Sequence, residues 1–93
     1  MKESSEARVV VSGRVQGVCF RAATREIAAR WGVCGFVRNL PDGRVEAVLQ
    51  GDRETVEKIV AFMREGPPGA YVEAADVEWR SPSEAWNGFI VRR

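Results

Sequence analysis

The 93-residue chain has no histidine. That absence removes the commonest general base and the commonest zinc ligand together. Cysteine is scarce: Cys19 and Cys34 are too few for a disulfide framework, and each reads as a small packing residue. With the carboxylates scattered along the chain, no metal-ligand cluster is visible, so no bound metal is expected. Uninterrupted apolar runs extend over only a few residues, which leaves no membrane-spanning segment. The start, Met1-Lys2-Glu3-Ser4-Ser5-Glu6, is polar and mixed in charge, unlike a secretory signal. A charge excess is missing as well. Fourteen basic and thirteen acidic residues leave a net charge of +1, and such a chain has no long-range field to gather nucleic acid or an anionic membrane. Any preference for an anion must be local, and the cytoplasm is the expected location.

What remains is a globular composition, with 45% hydrophobic and 29% charged residues. The length suits a single domain over residues 1–93, large enough for one modest core, with residues 1–7 expected as a flexible N-terminus. No repeat, linker or low-complexity stretch divides it.

The pattern along the chain predicts a first strand over Arg8 to Ser12, carried by three consecutive valines. Phe20, Ala23, Ile27, Ala28 and Trp31 then recur at helical spacing, with Gly32 as the stop and Trp31 expected in the helix core. Cys34 to Leu40 reads as a strand, Pro41-Asp42-Gly43 as a tight turn, and the alternation from Val45 as the returning strand of a hairpin. Asp52 is the expected N-cap of a second helix buried through Val56, Ile59, Val60 and Met63, and Gly66-Pro67-Pro68-Gly69 ends it. The charged stretch Arg53 to Lys58 is read as its solvated face. Tyr71 to Arg80 predicts a long strand whose alternation slips near Ala74-Ala75-Asp76, and Trp86 to Val91 a short last one, with Trp79 and Trp86 in sheet packing or at its edge. Strand, helix, strand, strand, helix, strand is the split βαβ, or ferredoxin-like, α+β order. It implies a mostly antiparallel sheet of four to five strands with two helices on one face. That fold alone fixes no activity.

The most informative stretch joins the first strand to the first helix: Val11-Ser12-Gly13-Arg14-Val15-Gln16-Gly17-Val18-Cys19-Phe20-Arg21. Backbone N–H groups of such a loop, with those of the first helical turn, form a concave and partly positive anion site. Arg21 adds a planar fork of donors suited to phosphate. Taken alone, the same residues also fit an ordinary connection with a solvated arginine.

With those residues placed, the chain resembles the acylphosphatases. Val11 through Arg21 match the family's first signature, and Gly35, Phe36, Val37, Arg38, Asn39, Gly43, Val45 and Gly51 stand at the spacings of its second. The resemblance spans roughly Arg8 to Val91 and implies hydrolysis of acyl phosphates to carboxylate and inorganic phosphate by water attack on phosphorus. It further implies that the loop residues Arg14, Val15, Gln16, Gly17, Val18, Cys19 and Phe20 bind the phosphoryl group. Arg21 would act as charged clamp and Asn39 would orient the water. It implies no metal, no organic cofactor and no phosphoenzyme; a monomer is the default expectation. Asn87-Gly88 departs from the threonine-glycine often found there.

The chemistry is consistent with these residue types. An arginine side chain stays protonated and a side-chain amide does not titrate, so neither Arg21 nor Asn39 serves as a general base. An acyl phosphate departs as a carboxylate of conjugate-acid pKa about 4 and needs little protonation. Positioning and electrostatics then suffice, which a phosphomonoester with its poor leaving group would not allow. Asn39 also fits a turn residue bonding its own backbone, and Gln16 reads as a loop-shaping side chain rather than a catalyst. Three rivals are weighed against this reading. Cys19 and Arg25 have the Cys-x5-Arg spacing of a nucleophilic-cysteine phosphatase, but the intervening residues read as helix. RNA binding would need sheet aromatics in a basic setting, which the strands lack. A catalytically silent phosphate-binding regulatory domain of the same fold is the alternative from another class.

Overall fold

The computed structural model describes residues 4–82 and 84–92. Its elements run β1 (Ser4–Arg14), α1 (Phe20–Arg30), β2 (Cys34–Asn39), β3 (Val45–Asp52), α2 (Arg53–Glu65), β4 (Tyr71–Arg80) and β5 (Phe89–Arg92). They build one five-stranded sheet in the order β4-β1-β3-β2-β5, antiparallel except where β5 runs parallel to β2. This is the ferredoxin-like α+β fold that the pattern predicts. Both helices cover one face, because alternate residues of the central strands are apolar: Ala7, Val9 and Val11 on β1 and Val45, Ala47 and Leu49 on β3 enter one core. From the helices come Phe20 and Ala28 on α1, and Val56, Ile59, Val60 and Met63 on α2.

Three expectations need correction. The first strand starts at Ser4 rather than Arg8, so residues 4–7 belong to the sheet and not to a flexible end; Ser4 to Ala7 pair with Leu49 to Asp52. Polar residues hide this in the sequence, yet Glu6 is buried because Arg80 and Gln50 bind its carboxylate. Trp31 is not core. It stands at the C-cap of α1, 46% exposed, where the chain leaves the helical stripe and the ring lies beneath the Lys58 ammonium at 4.1 Å. The last strand begins at Phe89 rather than Trp86, because Gln50 holds the Trp86 backbone and the chain turns at Gly88 before it can pair with β2.

The slip in β4 is a bulge, lying opposite Ser12 and Gly13. It brings the two strands so close that a Cβ on Gly13 would run into the Tyr71 carbonyl oxygen and the Glu73 nitrogen. Gly13, at φ 116, is therefore required where β1 hands over to the loop.

On the uncovered face of the sheet, Glu46 receives the Nε–H of Arg38, its cross-strand neighbour, and of Arg8, both at 2.6 Å. Only 6% of its side chain is exposed. Burial works against the charged carboxylate, but the two guanidinium hydrogen bonds outweigh it and hold Glu46 below the usual carboxyl range.

Candidate active site

Residues 15–19 cross from the end of β1 to the start of α1 over the edge of the core. Val15 and Phe20 are buried and pin the two ends of this arc, and Val18 packs on the same cluster. Between them Gly17 takes φ 77 and Cys19, the N-cap of α1, takes φ 60. A cysteine in the left-handed region is uncommon and is sustained only where its surroundings dictate it. Two such residues flanking Val18 curl the backbone into a tight arc. The first loop or helix-end N–H here to find a backbone acceptor is that of Ala23, which donates to the Cys19 carbonyl at 3.0 Å. Among the described residues the N–H groups of residues 16–22 have no backbone acceptor, and the positive end of α1 adds to them.

One side chain fixes this arc against the rest of the molecule. The Gln16 amide nitrogen donates to the carbonyl oxygens of Leu40 (2.9 Å) and Arg44 (3.0 Å). Those carbonyls close the β2–β3 hairpin: Leu40 N–H donates to the Arg44 carbonyl and Gly43 N–H to that of Leu40. Asn39, the last residue of β2, stands beside them.

The arc and the strand end enclose an open cleft of about 390 Å³ lined by Val15, Gly17, Cys19, Phe20, Arg21, Ala22, Asn39 and Val91. Among the described residues Arg21 is the only charged one lining it, and no carboxylate pairs with it. Asn39 contributes a buried side-chain oxygen with no hydrogen-bond partner among the described groups. The hairpin turn does not use Asn39; Asp42 serves it instead, accepting the Arg44 N–H at 3.1 Å. That hydrogen bond, with the Arg44 guanidinium, holds the Asp42 carboxyl below its ordinary range against the opposing effect of desolvation.

Of the residues singled out from the sequence, the cleft brings together Val15, Gly17, Cys19, Phe20, Arg21 and Asn39. Arg14 is exposed at the end of β1, Gln16 turns its side chain to the hairpin, and Val18 turns to the core, so these three do not line it. Two lining residues escape a sequence reading, Ala22 and Val91. Val91 does carry a signal, since it shares the inward parity of Phe89, two residues before it on β5. Cys19 and Arg25 do not share a phosphate loop, because residues 20–25 are helix.

Among the described residues, a curled strand–helix junction, an arginine without a carboxylate partner and a buried, unpartnered amide oxygen form a pocket suited to an anion on a ferredoxin-like sandwich. The sequence profile of the acylphosphatase family matches residues 7–91 of this chain. The chain belongs to the acylphosphatase family. It is 54% identical to an acylphosphatase of Rubrobacter xylanophilus over 98% of its own length and 83% of that protein's. It is 50% identical to one from a Roseiflexus species over 98% of each. A solved acylphosphatase structure from Coxiella burnetii superposes with a TM-score of 0.90 at 37% identity, over 97% of this chain and 94% of that one. The Bacillus subtilis acylphosphatase gives 0.92 at 30% identity, over 96% and 99%.

Proposed function

We propose that this acylphosphatase hydrolyses the carboxyl–phosphate bond of its substrate through the loop, Arg21 and Asn39, by direct attack of water on phosphorus. The enzyme is a hydrolase of acid anhydrides; acyl phosphates are its substrates and phosphate is a product. The loop from Gln16 to Phe20 wraps the phosphoryl group with backbone N–H donors, Arg14 staying in the β1–β4 ladder, and Arg21 shares its charge through a guanidinium fork. Asn39 accepts a hydrogen bond from the attacking water and holds it in line with the carboxylate leaving group. The water's proton passes to a phosphoryl oxygen, and the carboxylate leaves without an acid. No metal, cofactor or covalent phosphoenzyme enters this route.

The observation that supports it most strongly is the Asn39 oxygen, buried in the cleft wall and left without a partner. A buried acceptor in that state costs about 1–3 kcal/mol, which its use on a bound water offsets. The same feature disfavours a silent anion receptor, which would need the N–H groups but not the amide.

The enzyme is taken as a cytoplasmic monomer acting on a freely diffusing small molecule, away from nucleic acid and membrane; its net charge of +1 gives no pull toward polyanions. The test is hydrolysis of benzoyl phosphate with chelator present, in water enriched in oxygen-18, beside phenyl phosphate as control. Label is expected in phosphate and not in benzoate, with phenyl phosphate turned over far more slowly. Label in benzoate would mean attack at the acyl carbon and would overturn the reading.

A further inference from the structure

The cleft does not end at Arg21. A second groove, of about 430 Å³, runs on between α1 and β5, lined by Ala22, Arg25, Glu26, Ala29, Phe89 and Val91. It shares Ala22 and Val91 with the phosphate cleft. Positions 22, 25, 26 and 29 form one stripe of the helix, and Arg25 stands four residues after Arg21, about 6 Å along the axis on the same face.

The charges along this stripe are unequal in their partners. Glu26, the one carboxylate lining the groove among the described residues, pairs with Arg30 at 3.6 Å. Arg25 has no carboxylate partner among the described residues, and neither does Arg21 one turn before it. Two like charges at this spacing disfavour the helix slightly. A ligand with two negative groups relieves that repulsion, one group on Arg21 and the loop, the other on Arg25. Between them the wall is apolar, formed by Ala22 and Val91.

We propose that the α1–β5 groove is the acyl subsite, and that Arg25 selects acyl phosphates whose acyl part carries a second anionic group at the far end of a short apolar spacer. This rests on the placement of the phosphoryl group in the loop proposed above. Water and the leaving carboxylate are unaffected, since Arg25 lies a helical turn beyond the reacting bond.

Benzoyl phosphate and 3-carboxybenzoyl phosphate, which differ by one carboxylate, test the subsite in wild type, Arg25→Gln and Arg25→Glu. Wild type is expected to favour the carboxylated substrate in kcat/KM by about threefold to fivefold, the scale of a partly exposed ion pair. Added salt should erode that preference. Arg25→Gln should abolish it, with benzoyl phosphate turnover held. Arg25→Glu should reverse it, read as the ratio of the two substrates because the introduced carboxylate would also pair with Arg21. The same ratio in all three enzymes would overturn the subsite while leaving the reaction intact. Failure of wild type on benzoyl phosphate itself would instead overturn the placement on which it rests.

Discussion

The side-chain amide of Gln16 and the carbonyl of Leu40 meet at 2.9 Å, and this contact ties the β1–α1 loop to the strand end that carries Asn39. The second bond of the same nitrogen, to Arg44, makes the link a two-point brace across the base of the hairpin. In the proposed mechanism the anion cradle and the water-holding amide come from separate elements, and Gln16 braces one against the other.

Gln16→Ala is therefore expected to lower kcat by about tenfold to a hundredfold, the scale on which small misplacements act. Competitive inhibition by phosphate should change far less, because the loop's own N–H groups remain. Stability should fall by about 1 kcal/mol as two part-buried carbonyls, each keeping its backbone donor, lose the second one. Steady-state kinetics with phosphate inhibition, beside thermal unfolding, separates these effects. A stability loss with kcat intact would make Gln16 a structural residue only.

Cys19 lines the cleft, and the proposed route gives its thiol no part in the reaction. Cys19→Ser should keep kcat/KM within about threefold, since the loop acts through its backbone. Cys19→Gly should be at least as stable as wild type, because glycine holds φ 60 without the penalty of a side chain. Rates toward benzoyl phosphate and melting temperatures check both. Complete loss of activity in Cys19→Ser would restore a nucleophilic role.

Glu46 is expected to set part of the acid stability. Its carboxyl titrates below the ordinary range in the folded chain, so its contribution is full above the unfolded value near 4.5 and fades as the pH falls through the lower folded value. Glu46→Gln should destabilise by about 1–3 kcal/mol at neutral pH, less than a fully buried pair because Arg8 and Arg38 remain 39% and 43% exposed and can turn to water. The variant should also lose less stability than wild type between neutrality and pH 3, with catalysis unchanged. Denaturant titrations at several pH values measure this, and parallel pH curves for the two proteins would contradict it.

The sequence carried the element order and the loop because both depend on local regularities: valines at period two, helical spacing after Phe20, and turn residues at Pro41-Asp42-Gly43. The departures are all long-range. Glu6 reads as part of a solvated end, yet Arg80, far along the chain, draws it into the sheet. Glu46 alternates as a polar face should, and nothing nearby shows that two arginines from different strands close over it. Trp31 keeps helical spacing but sits one residue past the end of α1, so period alone misplaces it. At the site, the signatures pointed to Asn39 and Arg21. That the Asn39 oxygen stays free because Asp42 serves the turn is visible only in three dimensions.

The most direct test of the central claim is the turnover of Asn39→Ala on benzoyl phosphate, measured beside its stability and beside Arg21→Ala. The account predicts a kcat about a hundredfold to a thousandfold lower with KM little changed, as for loss of one oriented hydrogen-bonding group. Stability should be equal or higher, since the oxygen removed has no partner to lose. Arg21→Ala should lose both affinity and turnover. An Asn39→Ala enzyme that turns over at the wild-type rate would contradict the account.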